Sequence, residues 1–201
     1  MAAAQASSES GVRTRTRIRI HAERSVPTRA EEFLAQGKVA HVGFAVDGQP
    51  YVIPFSYHYD PSDPKRLLLH GSTASRALLH LADGAPVCVT VTMLDGLVYS
   101  RTALYHSMNY RSVVCFGKAR LVETRAEKRA LFEGMILRYF AERTAGRDYD
   151  AIPDEHLDST TMVEVRIEEM SAKLREGGPK GPRDAVAGAP GTCGVVELRE
   201  E

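Results

Sequence analysis

The chain has 201 residues, 43% of them apolar, and 26 basic side chains balance 26 acidic ones. That length fits one domain with room for a substantial core. Balanced charge gives no overall attraction to nucleic acid, and no apolar run approaches the roughly 18 residues of a membrane helix, so neither partner is expected. Cys88, Cys115 and Cys193 form no close pair. Cys88 and Cys115 sit in apolar runs, as small core residues do in a reducing cytosol.

Residues 1–25 open with "MAAAQASSES", a low-complexity stretch expected to be disordered. Arg13, Arg15, Arg17 and Arg19 then recur at period two, the pattern of a strand-like surface arm. A cytoplasmic protein is expected. Organelle import through this arginine- and serine-rich start is the alternative. The domain proper spans residues 26–176. A short helix over residues 31–36 ends at Gly37. Ala40, Val42, Phe44 and Val46 alternate along a strand, and Asp47-Gly48 marks a two-residue hairpin. A second strand covers residues 51–59, "DPSDPK" is a loop, residues 67–69 are a third strand, and residues 72–81 a short helix. Val87, Val89, Val91 and Met93 share one strand face, and Asp95-Gly96 repeats the hairpin signal. Residues 112–122 form another strand. Residues 127–143 form a helix with Leu131, Ile136, Leu137 and Phe140 near one face, and residues 161–169 alternate once more. Residues 177–201 read as a Gly- and Pro-rich tail or an exchanged arm. Together the elements predict a mainly β, α+β fold: an antiparallel barrel with flanking helices.

Two polar clusters interrupt the apolar pattern. In "LLLHGSTASRALLHL", residues 67–81, His70, Gly71, Ser72, Ser75 and Arg76 stand at the mouth of a helix. Hydroxyls, a glycine that admits close approach and a planar guanidinium suit a phosphate. An ordinary cap by Ser72 with a solvated Arg76 is equally open. In "YHSMNYRSVVCFG", residues 105–117, Asn109, Tyr110, Arg111 and Ser112 precede a strand. The two clusters together suit a flat aromatic ligand with a phosphate tail. Arg76 takes the anion, Tyr110 or Ile53-Pro54 forms an apolar wall, and Arg111 or Lys173 places positive charge near a reduced ring.

"DGQPYVIP", "LHGSTASR" and "HSMNYRSVVCFGKA", in this order, resemble the flavin-binding pyridoxamine 5'-phosphate oxidase-like superfamily, and its nitroimidazole reductase-like branch in particular. The resemblance implies a six-stranded split β-barrel that forms a homodimer with FMN at the interface. It assigns His70, Gly71, Ser72, Ser75 and Arg76 to the phosphate end of FMN, and Ile53 and Pro54 to the ring edge. Asn109, Tyr110, Arg111 and Ser112 complete the site from the partner chain, and Lys173 lies in the closing segment. His70 also matches a histidine near the flavin in nitroimidazole reductases, which makes it the candidate catalytic proton donor; a structural hydrogen bond to the ligand is equally open. The implied activity is FMN-dependent oxidoreduction, with NAD(P)H as donor and a nitroaromatic or quinone-like compound, or oxygen, as acceptor. A non-enzymatic flavin or haem carrier or sensor is the alternative. His41, His58, His70, His80, His106 and His156 lack zinc-ligand spacing, so no metal is expected. Ser107 and His106 lack a nucleophile-elbow context for hydrolysis.

Overall fold

The computed structural model describes residues 15–198. Strand β1 (Val39–Val46) turns into β2 (Gln49–Tyr59) through Asp47 at φ 51° and Gly48 at φ 81°. Two left-handed residues make the tight turn whose twist matches the flanking strands. Strands β3 (Arg66–Ser72), β4 (Pro86–Tyr99), β5 (Ser107–Leu121) and β6 (Thr160–Arg175) join them in the order β1-β2-β3-β6-β5-β4. Pairs from Ala40↔Val91 to Gly43↔Cys88 bring β4 back to β1 and close an antiparallel ring. The ring is split on one side. β2 pairs with β1 from Gln49 to Ser56, but with β3 only from Tyr57 to Tyr59.

Alternation sends one face of every strand inward. Val42, Leu67, Leu69, Val89, Val113, Cys115, Val163 and Val165 are all buried there. Helix α1 (Ala30–Gln36) plugs one end of the barrel with Phe33 and Leu34, and α2 (Arg76–Ala82) plugs the other with Leu78 and Leu81. Each such side chain contributes about 1.5–3 kcal/mol on burial. Gly37 permits the approach of α1, because a Cβ there would meet Val91 Cγ1 at 2.3 Å and Tyr57 Oη at 2.9 Å. Helix α3 (Arg125–Tyr139), capped by the Thr124 side chain, covers the outer face of β2, β3 and β6 with Leu131, Phe132 and Met135. A short helix α4 (Asp154–Asp158) leads into β6. On that covered face Glu164 is fully buried, and Arg66, Arg120 and Arg166 neutralise it, as a buried carboxylate requires.

Several expectations are corrected. Asp95-Gly96 is not a turn: neither residue has positive φ, and β4 runs through it with a register shift between Leu94 and Gly96. A seventh strand, β7 (Gly194–Glu197), lies against this stretch, and a Cβ on Gly96 would stand 3.0 Å from Val196 O. The glycine serves close packing, and the tail is tied down rather than loose. Asp184 accepts from Ser100 Oγ, Arg101 N and Gly181 N at 2.7–3.1 Å. Residues 70–72 continue β3, because they pair with Met162, Thr161 and Thr160; the helix starts only at Arg76, capped by Ser75. In α3, Met135 takes a buried place, whereas Leu137, and Phe140 just past the helix end, are exposed. Arg13 lies outside the described residues. Arg15 is not in a strand; it bridges Glu168 and Glu169 at 2.8 Å and stacks over Phe116.

Candidate functional site

A pocket of about 290 Å³ opens at the split. The β1–β2 hairpin supplies the inward-facing Phe44, Val46, Tyr51 and Ile53, and α2 supplies Ser75, Arg76, Ala77 and His80. The two come together because β2 has no strand on its second edge here, so α2 borders the hairpin instead. Phe44 and Tyr51 stack at 5.5 Å with 16° between their planes, and His80 lies 5.6 Å from Phe44. This makes an apolar aromatic floor. Arg76 stands exposed at its rim, with no hydrogen bond or ion pair to any described residue. Most of the described arginines are engaged: Arg111 holds Asp95, Arg125 holds Asp158, and Arg138 binds three backbone carbonyls. An unpaired guanidinium beside a flat apolar wall has the chemistry to take a ligand with an aromatic body and an anionic tail.

Of the residues anticipated from the sequence, Ile53, Ser75 and Arg76 meet in this pocket. Pro54, Tyr110, Ser112 and Lys173 point to the outer face of the sheet, opposite in parity to the core residues beside them. There Ser112 pairs in register with both Thr92 and Lys173, and Tyr110 lies two residues along β5. The same face leaves Val39, Val52 and Leu94 exposed by 47%, 67% and 41%. Lys173 has no carboxylate partner among the described residues.

The others lie apart. Gly71 serves packing, since a Cβ there would meet Leu78 Cδ1 at 2.9 Å. Ser72 Oγ accepts from Ala74 N at 3.1 Å, within the turn before α2. His70 faces outward under α3, its ring 5.0 Å from that of Phe132. Its Nδ1 is buried without a partner, and burial pushes its pKa below the usual histidine range. It therefore sits neutral in a packed layer and does not line the pocket. Asn109 and Arg111 face inward at the far end of the barrel. That end is where Tyr110 pairs with Arg175, the last residue of β6. The pocket lies where Ser72 pairs with Thr160, the first residue of β6. Asn109 and Arg111 line a separate groove of about 620 Å³ that shares no residue with the pocket. Arg111 is neutralised there by both oxygens of Asp95 at 2.5–3.0 Å and bonded by Gln36. Asn109 Oδ1 accepts from Arg175. Sequence reasoning missed Phe44, Tyr51 and His80. The inward parity of the hairpin pointed to the first two, and the four-residue spacing from Arg76 pointed to His80.

Comparison with known proteins agrees with this architecture. A family model described as pyridoxamine 5'-phosphate oxidase matches residues 27–174. No curated protein matches the chain. Among solved structures, the FAD and heme binding protein of Mycobacterium smegmatis is 31% identical, with a TM-score of 0.77 over 87% of this chain and 84% of that one. The flavocytochrome Anf3 of Azotobacter vinelandii is 26% identical, with a TM-score of 0.79 over 94% and 86%. A Bacteroides thetaiotaomicron protein named for 5-nitroimidazole antibiotic resistance shares the fold at 24% identity, with a TM-score of 0.61 over 75% and 86%. The ring of six strands, its split, and a family match that runs from the turn before α1 almost to the end of β6 lead to one assignment: the chain belongs to the pyridoxamine 5'-phosphate oxidase family.

Proposed function

We propose that this chain is a flavin-dependent oxidoreductase that holds FMN along the split, with the phosphate on Arg76. The observation that carries the reading is Arg76 itself. It is an arginine without a partner among the described residues, at the rim of a pocket floored by Phe44, Tyr51 and Ile53. The flavin supplies the electron chemistry, while the protein binds it, orients it and limits water around it.

The reading includes a homodimer. The outer sheet face carries Tyr110, Ser112 and Lys173 beside exposed Val39, Val52 and Leu94. A second copy covering this face would bury about 2,000 Å² in total, the range of a stable dimer. It would also bring its own Tyr110, Ser112 and Lys173 toward the flavin edge at Pro54. A lysine without an acidic partner there stabilises negative charge on a reduced ring. Reduced nicotinamide is the proposed donor, and a small nitroaromatic or quinone-like compound, or oxygen, the acceptor. His70 enters as a packing residue, because it lies on the outer face of β3 under α3 and does not line the pocket.

A second reading is a flavin or haem carrier with FAD in place of FMN. It draws on the names of the Mycobacterium smegmatis and Azotobacter vinelandii proteins, and on His58 and His70, both with a buried, unpartnered Nδ1. The absorbance spectrum of the purified protein, chromatography of the released cofactor, and NADH or NADPH turnover with a nitroaromatic acceptor separate the two. Flavin bands, FMN and turnover are expected. A Soret band, or FAD that no nicotinamide reduces, would replace the enzyme reading with the carrier.

A further inference from the structure

His80 stands four residues after Arg76 on α2, one helical turn, which sets both side chains on the same face of the helix. Both line the pocket at the split. The Phe44 ring packs against the imidazole at 5.6 Å and so limits its orientation. Neither imidazole nitrogen is bonded to a described residue, and neither is sealed from solvent. A donor-bearing ring and a guanidinium without a bond to any described residue thus face one small space. We propose that His80 is a second phosphate-binding residue: with Arg76 it clamps the anionic tail of the ligand, and the pair selects phosphorylated flavin over riboflavin. The proposal rests on the flavin reading above.

Helix geometry favours a shared anion. Residues one turn apart have their Cβ atoms about 5–6 Å from each other. A phosphate accepts from several directions, so one phosphate can take the guanidinium fork and the imidazole N–H together. Ala77 lies between them in sequence, and its buried methyl side chain adds no donor. Ser75 already accepts from Leu78 N at 3.4 Å as the helix cap.

His80→Phe keeps the ring against Phe44 and removes both nitrogens. FMN and riboflavin are titrated by flavin fluorescence against the wild type, His80→Phe, His80→Asn and Arg76→Ala. His80→Phe should weaken FMN about tenfold, the loss of one hydrogen bond to a charged group, and leave riboflavin within about twofold. His80→Asn, which keeps a donor, should recover part of the loss. Equal weakening of FMN and riboflavin in His80→Phe would place His80 on the ribityl chain or the ring and overturn the clamp. Unchanged FMN affinity in His80→Phe, with Arg76→Ala still selective against FMN, would overturn it while leaving the flavin reading intact. A wild type that binds neither ligand would remove the flavin reading itself.

Discussion

Replacing Arg76 with alanine isolates the anion contact. Arg76 makes no bond to any described residue and stands exposed, so its removal should leave folding stability within about 0.5 kcal/mol. Any loss of ligand affinity therefore belongs to the ligand. A hydrogen bond to a charged group contributes about 1.5–3 kcal/mol, and 1.4 kcal/mol is about tenfold in affinity. The exposed rim screens the charge, so the lower half of that range applies, and FMN binding should weaken about ten- to fortyfold. Riboflavin, with the same ring and ribityl chain but no phosphate, should bind nearly as before. Flavin fluorescence reads both titrations, because FMN and riboflavin carry the same ring. Equal loss of FMN and riboflavin in a folded Arg76→Ala protein would refute the reasoning and return the cluster to an ordinary helix start.

Arg138→Leu should destabilise the fold by about 2–4 kcal/mol in urea unfolding. Its guanidinium binds the Leu34, Gly37 and Tyr59 carbonyls and stacks on Tyr57; a loss under about 1 kcal/mol would show that water replaces these bonds. Tyr57→Phe should cost only about 1 kcal/mol, because Leu34 O loses the tyrosine donor at 2.6 Å but keeps Arg138. Burial holds His58 and His70 below the usual histidine range. The unfolded chain then binds more protons, and stability should fall as pH drops below about 6.5. Urea midpoints at about pH 7 and pH 5.5 should differ less in His70→Phe than in the wild type; equal slopes would mean that His70 does not contribute. Light scattering should report a dimer, and Val52→Asp on the exposed sheet face should shift it toward monomer without lowering secondary-structure content.

The strand pattern was legible because period-two alternation survives wherever one strand face is buried, as along Val87, Val89 and Val91. Two identical Asp-Gly pairs show where local reading ends. Gly48 has nothing within 4 Å of its missing Cβ and makes a turn. Gly96 lies under Val195 and Val196, which come from the far end of the chain. No local signal at residue 96 announces a strand that arrives from residue 194. His70 was readable by parity: Leu67 and Leu69 face inward, so His70, in phase with Leu68, faces outward. Arg76 emerged from its chemistry, whereas its lack of a partner is visible only once the other arginines are placed. Asn109 and Arg111 were grouped with Tyr110 and Ser112 by adjacency, yet alternation sends the two pairs to opposite faces of β5.

A structure of the FMN-bound protein tests the central claim most directly. The account predicts the phosphate within hydrogen-bonding distance of the Arg76 guanidinium, and the flavin ring along Ile53 and Pro54 with a second copy of the chain closing over it. FMN seated in the groove lined by Asn109, Arg111 and Arg175, with Arg76 left in solvent, would contradict it.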